Sequence, residues 1–111
     1  MRRSVAAFAA ALLLASASAA CTGTFVDSRG VEHKGAEDDA EREAAVQSAA
    51  ADIPCDASAI TVDSMGYKEA VNDPKTLVLS GCGSRVTYLE TCLDVRPNPC
   101  KLALTSRVKL P

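Results

Sequence analysis

Aromatic side chains are scarce in this chain of 111 residues, which has two Phe, two Tyr and no Trp. This scarcity excludes a domain that relies on a large aromatic core, so a small domain here needs covalent cross-links. Histidine occurs once, as His33. A nucleophilic cysteine needs a positioned base, and His33 is the one histidine in the sequence that could act as that base. We predict no catalytic residue, no cofactor and a protein that is not an enzyme.

Closely spaced cysteine pairs are also missing. Zinc sites generally contain two cysteines separated by two to four residues. Here the successive separations from Cys55 through Cys82 and Cys92 to Cys100 are 27, 10 and 8 positions, which predicts no metal site and excludes a thioredoxin-like redox motif. Cys82 lies between two glycines, as exposed nucleophiles do in some hydrolases. We interpret the glycines as residues that permit a tight turn and a close disulfide.

The chain lacks the length for a multi-domain enzyme and lacks an excess of positive charge. Arg2 and Arg3 precede an apolar run, and without the first twenty residues ten basic side chains face fourteen acidic ones, a formal net charge of −4. One small domain fits into residues 21–111. The acidic balance argues against nucleic acid as a partner.

An export signal is predicted at residues 1–20. Arg2 and Arg3 are followed by the apolar run 6–15 and the small residues 16–20, which is the layout of a secretory signal peptide. The apolar run is too short for a membrane-spanning helix, which needs about 20 apolar residues.

Cys21 is the candidate lipidation residue. Ser18-Ala19-Ala20-Cys21 resembles the lipobox of bacterial lipoproteins, in which the cysteine is acylated before cleavage. The chain has five cysteines, and acylation of Cys21 would leave an even number that can all pair in an oxidising compartment. Ordinary cleavage after Ala17, Ala19 or Ala20 is the alternative, and it would release a soluble protein.

The mature chain is predicted to form an α+β domain at residues 36–111, behind a flexible tether at residues 21–35. Residues 36–53 have helix composition, with acidic residues at the start and Pro54 just beyond the end. This N-terminal helix would pack on a small antiparallel β-meander. The predicted strands cover residues 59–63, 77–80, 85–89 and 101–104, with 106–110 as a further segment. Residues 67–71 are ambiguous, and a two-stranded ribbon turning at residues 27–30 is the alternative to the tether.

Disulfides are the predicted role of Cys55, Cys82, Cys92 and Cys100. Four cysteines allow three pairings, and the sequence alone does not choose between them. In a meander the start of the first strand lies beside the end of the second, which favours a Cys55–Cys82 bond and leaves Cys92 and Cys100 to close the last connection. That connection contains Pro97 and Pro99 and should be stiff.

The order of these features is similar to a pattern in a group of small lipoproteins of Gram-negative bacteria. The matching features are the Ala-rich helix, Cys55, the segment 60–62, Gly81-Cys82-Gly83, Tyr88 and Cys92. The match covers about residues 40–92. The resemblance implies no activity, because the group has none assigned.

These observations together predict an exported, lipid-anchored envelope or interaction module. Its predicted partners are a membrane, through an acyl group on Cys21, and other proteins. An outer-membrane or cell-surface location is expected with the anchor, because Thr22 carries no acidic retention signal. The alternative is a soluble, secreted, disulfide-rich binding or inhibitor domain, periplasmic or extracellular, that would use the loop at residues 94–99 as its contact surface.

Overall fold

The protein has an α+β fold, so the predicted fold class is confirmed. The structure is a computed structural model that describes residues 22–66, 74–92 and 99–111. Within these ranges it contains one α-helix, six strands in a single sheet, and two disulfides. The elements are β1 (Thr22–Val26), β2 (Glu32–Ala36), α1 (Glu37–Asp52), β3 (Thr61–Ser64), β4 (Lys75–Gly81), β5 (Ser84–Cys92) and β6 (Cys100–Lys109), with a 3₁₀ turn at Ala57–Ala59.

Residues 22–36 form a hairpin and not the predicted tether. β1 and β2 pair antiparallel around a turn in which Gly30 has a φ of +87°, which is the ribbon that the sequence offered as an alternative. An isolated hairpin is marginal in water. This one is stabilised because β1 joins the main sheet and Phe25 is buried, with 3% of its surface exposed. The helix is therefore not the N-terminal element of the domain.

The sheet is mixed, in contrast to the predicted antiparallel meander. Its strand order is β2-β1-β6-β5-β4-β3. The four strands from β3 to β6 do form an antiparallel meander. β1 then adds to the far side of β6 in the parallel direction, through the pairs Phe25–Cys100 and Val26–Lys101.

Helix α1 packs one face of small residues on the sheet. Its first turn contains Glu37, Asp38 and Asp39, whose charges favour the positive end of the helix dipole. The buried helix positions are Ala40, Glu41, Ala44, Ala45, Ser48 and Ala49. The methyl groups let the helix approach closely, and Glu41 is paired with Lys75 of β4 at 2.7 Å. In the second half of the helix and just beyond its end, Ala45, Ala49 and Ile53 are buried, while Val46 and Ala50 are partly exposed.

The core lies between α1 and the face of the sheet that it covers. β4 and β5 alternate buried side chains with partly exposed ones, as strands with one covered face do. The large buried side chains are Phe25, Ile53, Leu77, Leu79, Val86, Tyr88 and Leu102.

Gly81-Cys82-Gly83 forms the tight turn between β4 and β5. Gly81 pairs with Ser84, and both Cys82 (φ 47°) and Gly83 (φ 78°) have positive φ, as a two-residue hairpin turn requires. A Cβ on Gly81 would lie 2.8 Å from the carbonyl oxygen of Ala59 and 3.4 Å from Sγ of Cys55. Both glycines therefore have the structural role that the sequence indicates.

Three predicted features fall outside the described residues. They are the signal peptide with Cys21, the ambiguous segment 67–71, and most of the loop at residues 94–99. Among the described residues, no helix has the length and hydrophobicity needed to cross a bilayer.

Candidate functional site

A buried carboxylate, Asp27, organises the turn of the N-terminal hairpin. Its Oδ1 accepts hydrogen bonds from the backbone N–H of Arg29 at 2.9 Å and of Val31 at 3.0 Å. Its Oδ2 lies 3.0 Å from Nη2 of Arg29 and 2.7 Å from Nε2 of His33. Aspartate favours such turns because its side chain satisfies backbone donors nearby in sequence. The chain therefore brings its one histidine against a fully buried acid.

The surroundings of Asp27 favour its charged form. Burial alone would raise the pKa of the carboxyl group, but the hydrogen bonds from His33, Val31 and Arg29 outweigh it and lower the pKa to about 2. The side chain of Asp27 is inaccessible to solvent, whereas 15% of the His33 side chain is exposed. Asp27 therefore stays ionised over the whole physiological range of pH.

A second acid, Asp52, joins the hairpin to the helix and the sheet. Its Oδ2 accepts hydrogen bonds from the hydroxyl of Tyr88 at 2.6 Å and from Oγ of Ser28 at 2.9 Å. The N–H of Ser28 donates in turn to Oγ of Ser48 at 2.9 Å. Burial and the neighbouring Asp52 raise the pKa of Tyr88 well above its usual range. The hydroxyl therefore remains a hydrogen-bond donor.

An open depression lies between the hairpin and the first half of α1, with a volume of about 480 Å³. Its lining includes His33 and Lys34 from β2 and the acidic Asp39 and Glu43 from α1; the remaining lining residues are Glu32, Gly35 and Ala40. The lining is mostly charged and carries both signs, so it suits a polar contact better than an apolar small molecule.

Asp27, Asp52 and the side chains bonded to them form a polar cluster that includes one acid–histidine pair, Asp27 with His33. The hydroxyl of Ser28 donates to Asp52 and not to His33. Cys82, the residue that the glycine-flanked turn singles out, is bonded to Cys55. Among the described residues, no hydroxyl or thiol is hydrogen-bonded to His33. The arrangement holds the hairpin, α1 and β5 together.

The four cysteines predicted to form disulfides do so. The bonds join Cys55 to Cys82 and Cys92 to Cys100, which is the pairing that the strand order favours. Disulfides persist in oxidising compartments, so they indicate a non-cytoplasmic environment. Oxygen of Glu90 and the sulfurs of Cys92 and Cys100 lie within 4.8 Å of one another, but both sulfurs are used in the disulfide.

Sequence reasoning missed the cluster around Asp27 because it assigned residues 21–35 to a tether. One signal was available. An aspartate that opens the turn Asp27-Ser28-Arg29-Gly30, with a histidine six positions later, is typical of a side chain that bonds across a hairpin.

No family model, no curated protein and no solved structure is significantly similar to the chain.

Proposed function

We propose that the chain is an exported, lipid-anchored and non-enzymatic module that presents a rigid interaction domain at the bacterial cell envelope. The observation that carries the proposal is the use of four of the five cysteines in two disulfides. Cys21 is then the one cysteine left over, at the position where the sequence resembles a lipobox. An unpaired thiol is a liability in an oxidising compartment, and acylation removes it.

The N-terminal segment supports export. Arg2 and Arg3, the apolar run 6–15 and the small residues before Cys21 have the layout of a cleaved signal. Stable anchoring by acyl groups takes more than one chain, as a mature lipoprotein carries. The resemblance to small Gram-negative lipoproteins points the same way, and Thr22 after the acylation residue favours the outer membrane.

The polar cluster supports a role in binding and not in catalysis. Its two acids, the buried Asp27 and the partly buried Asp52, accept hydrogen bonds from donors of the hairpin and from Tyr88. What the domain offers to a partner is a stable surface on a scaffold of two disulfides.

The intact mass of the chain, expressed with its leader in a Gram-negative host, tests the proposal. We expect the membrane fraction to hold protein that begins at Cys21 with an added diacyl or triacyl mass, and four cysteines that alkylate only after reduction. The matched control is Cys21→Ser, which should be neither acylated nor membrane-bound.

Soluble protein of unmodified mass, with one thiol that alkylates before reduction, would overturn the anchor. It would favour the secreted binding or inhibitor domain in its place.

A further inference from the structure

Strand β6 is paired along its whole length on one side only. It pairs with β5 from Cys92–Cys100 to Ser84–Lys109. On the other side β1 reaches only Cys100 and Lys101. From Leu102 to Lys109, no other strand of the described residues pairs with this side of β6. In a strand with one such free edge, alternate residues direct N–H and C=O groups outward, which makes roughly four residues available to a further strand.

The same segment is exposed on both of its faces. Every residue from Ala103 to Lys109 is exposed, whereas a strand in the middle of a sheet alternates. Two of the three large hydrophobic side chains that the described residues expose are on β6, Leu104 at 43% and Val108 at 53%. Exposed apolar groups beside an unpaired backbone edge are what a strand-adding partner would cover.

The charge of this edge has one sign. β6 contains Lys101, Arg107 and Lys109 and no acidic residue. The neighbouring basic residue on β5, Arg85, already lies 3.6 Å from Asp63 of β3. Arg107 and Lys109, which lie at the free edge, have no acidic residue on their own strand. An acidic partner would complement their charge.

A second copy of the chain fits this edge poorly. Antiparallel pairing centred on Arg107 or Val108 would place Arg107 opposite Arg107 or Lys109 of the other copy, and like charges that face each other across strands are destabilising. Registers centred nearer to Ser106 meet the irregularity that the sheet has at Thr105, where Leu104 and Ser106 pair with the adjacent residues Tyr88 and Thr87. A bulge and basic side chains are common protections of an edge against self-association.

We propose that the β6 edge, residues 102–109, binds an extended acidic segment of another protein as an added strand. Main-chain hydrogen bonds would supply affinity, while Arg107 and Lys109 select for acidic side chains and against a second copy. The inference rests on the proposed role as an interaction module, but it does not depend on the lipid anchor.

A synthetic peptide that alternates valine and glutamate over nine residues provides the test, with the purified mature chain and amide-resolved NMR as the readout. We expect saturable binding, with shift changes and slowed amide exchange at residues 102–109. Two control peptides separate the contributions. One replaces glutamate with lysine, and the other carries N-methyl groups on alternate residues, which keeps the charge but removes main-chain donors.

The matched variants are the double change Arg107→Glu with Lys109→Glu, and Arg42→Glu on the exposed face of α1. The first should weaken binding of the acidic peptide by roughly tenfold or more, which corresponds to about 1.4 kcal/mol. Arg42→Glu should leave it unchanged. Both sets of substitutions lie on exposed positions, so the fold should be retained, and circular dichroism verifies this.

Three outcomes would overturn the inference. They are equal binding of the lysine peptide, equal binding of the N-methylated peptide, and shift changes confined to residues outside 102–109. Self-association of the free chain in sedimentation would assign the edge to a second copy instead. Loss of acylation in the mass experiment would leave all of these results intact, so failure of the anchor and failure of the edge are distinguishable.

Discussion

At the scale of single residues, two carboxylates organise the N-terminal hairpin, the buried Asp27 within its turn and the partly buried Asp52 between the hairpin and the sheet. Asp27 collects its donors from within six positions, whereas Asp52 joins Ser28 and Tyr88, which lie 24 and 36 positions away. A buried acid is costly unless its oxygens accept hydrogen bonds. Both acids meet that condition, so replacing a single donor or acceptor should have a measurable effect on stability.

Asp27→Asn should remove a pH-dependent part of the stability. Because folding lowers the pKa of Asp27 from 3.8 to about 2, the native chain gains stability that is complete above about pH 4 and is lost as the pH falls toward 2. The shift corresponds to a loss on the order of 2 kcal/mol. Urea unfolding at pH 7, 4 and 2 measures it, and the difference between native and variant chains should shrink toward pH 2.

The control for this experiment is Asp56→Asn, at an exposed position. A difference between the native chain and Asp27→Asn that stays constant from pH 7 to 2 would contradict the assignment.

Tyr88→Phe should destabilise the fold by about 2 kcal/mol, because it removes the shorter of the two hydrogen bonds to Asp52 and leaves that partly buried acid with fewer donors. Thermal or denaturant unfolding at pH 7 measures the loss. Thr87→Val changes the adjacent residue on the other face of β5 and serves as the comparison. An equal effect from the two variants would show that the hydroxyl of Tyr88 contributes nothing specific.

At the scale of elements, the sequence predicted the helix and the meander well and the N-terminal hairpin poorly. The helix and β3 to β6 carry strong local signals, namely an Ala-rich run and alternating apolar residues. The hairpin at residues 22–36 contains three glycines and little apolar surface, so its local pattern matches a linker. Its structure depends on pairing with β6, about 75 residues away along the chain, and no local pattern encodes such a contact.

Phe25→Ala should destabilise the whole domain by about 3 to 4 kcal/mol, because it leaves a cavity in the core. A residue in a flexible tether would have almost no effect. Val31→Ala, at an exposed position of the same hairpin, is the control and should stay within about 0.5 kcal/mol of the native chain. Denaturant unfolding of the two variants decides whether the hairpin folds with the domain.

At the scale of the whole molecule, the disulfides compensate for a core that contains few large side chains. Their existence was predictable from the number and spacing of the cysteines, and their pairing was favoured by strand order. The parallel addition of β1 was not predictable. It depends on the hairpin at residues 22–36, and the glycines of that segment are typical of a linker. The cluster of Asp27 and His33 was missed for the same reason.

The Cys55–Cys82 bond should contribute more to stability than the Cys92–Cys100 bond. It closes a loop of 27 positions against 8, and the loop-entropy relation gives about 3.5 and 2.5 kcal/mol. Paired alanine variants of each bond, compared by denaturant unfolding under oxidising conditions, test the order. The opposite order would show that the chain entropy of the unfolded state does not dominate the contributions of the two disulfides to stability.

The parallel pairing of β1 with β6 also determines how far the sheet extends from Thr22. β1 starts at Thr22, one residue after Cys21, and β6 runs in the same direction from Cys100, beside Phe25, to Lys109. If Cys21 is acylated, no linker residue would separate the lipid-bearing cysteine from the first strand of the sheet. The path from Thr22 to Phe25, and on from the paired Cys100 to Lys109, has twelve steps. At about 3.3 Å per step it spans roughly 40 Å. A rigid sheet would thus carry Arg107 and Lys109 outward, beyond the lipid head groups.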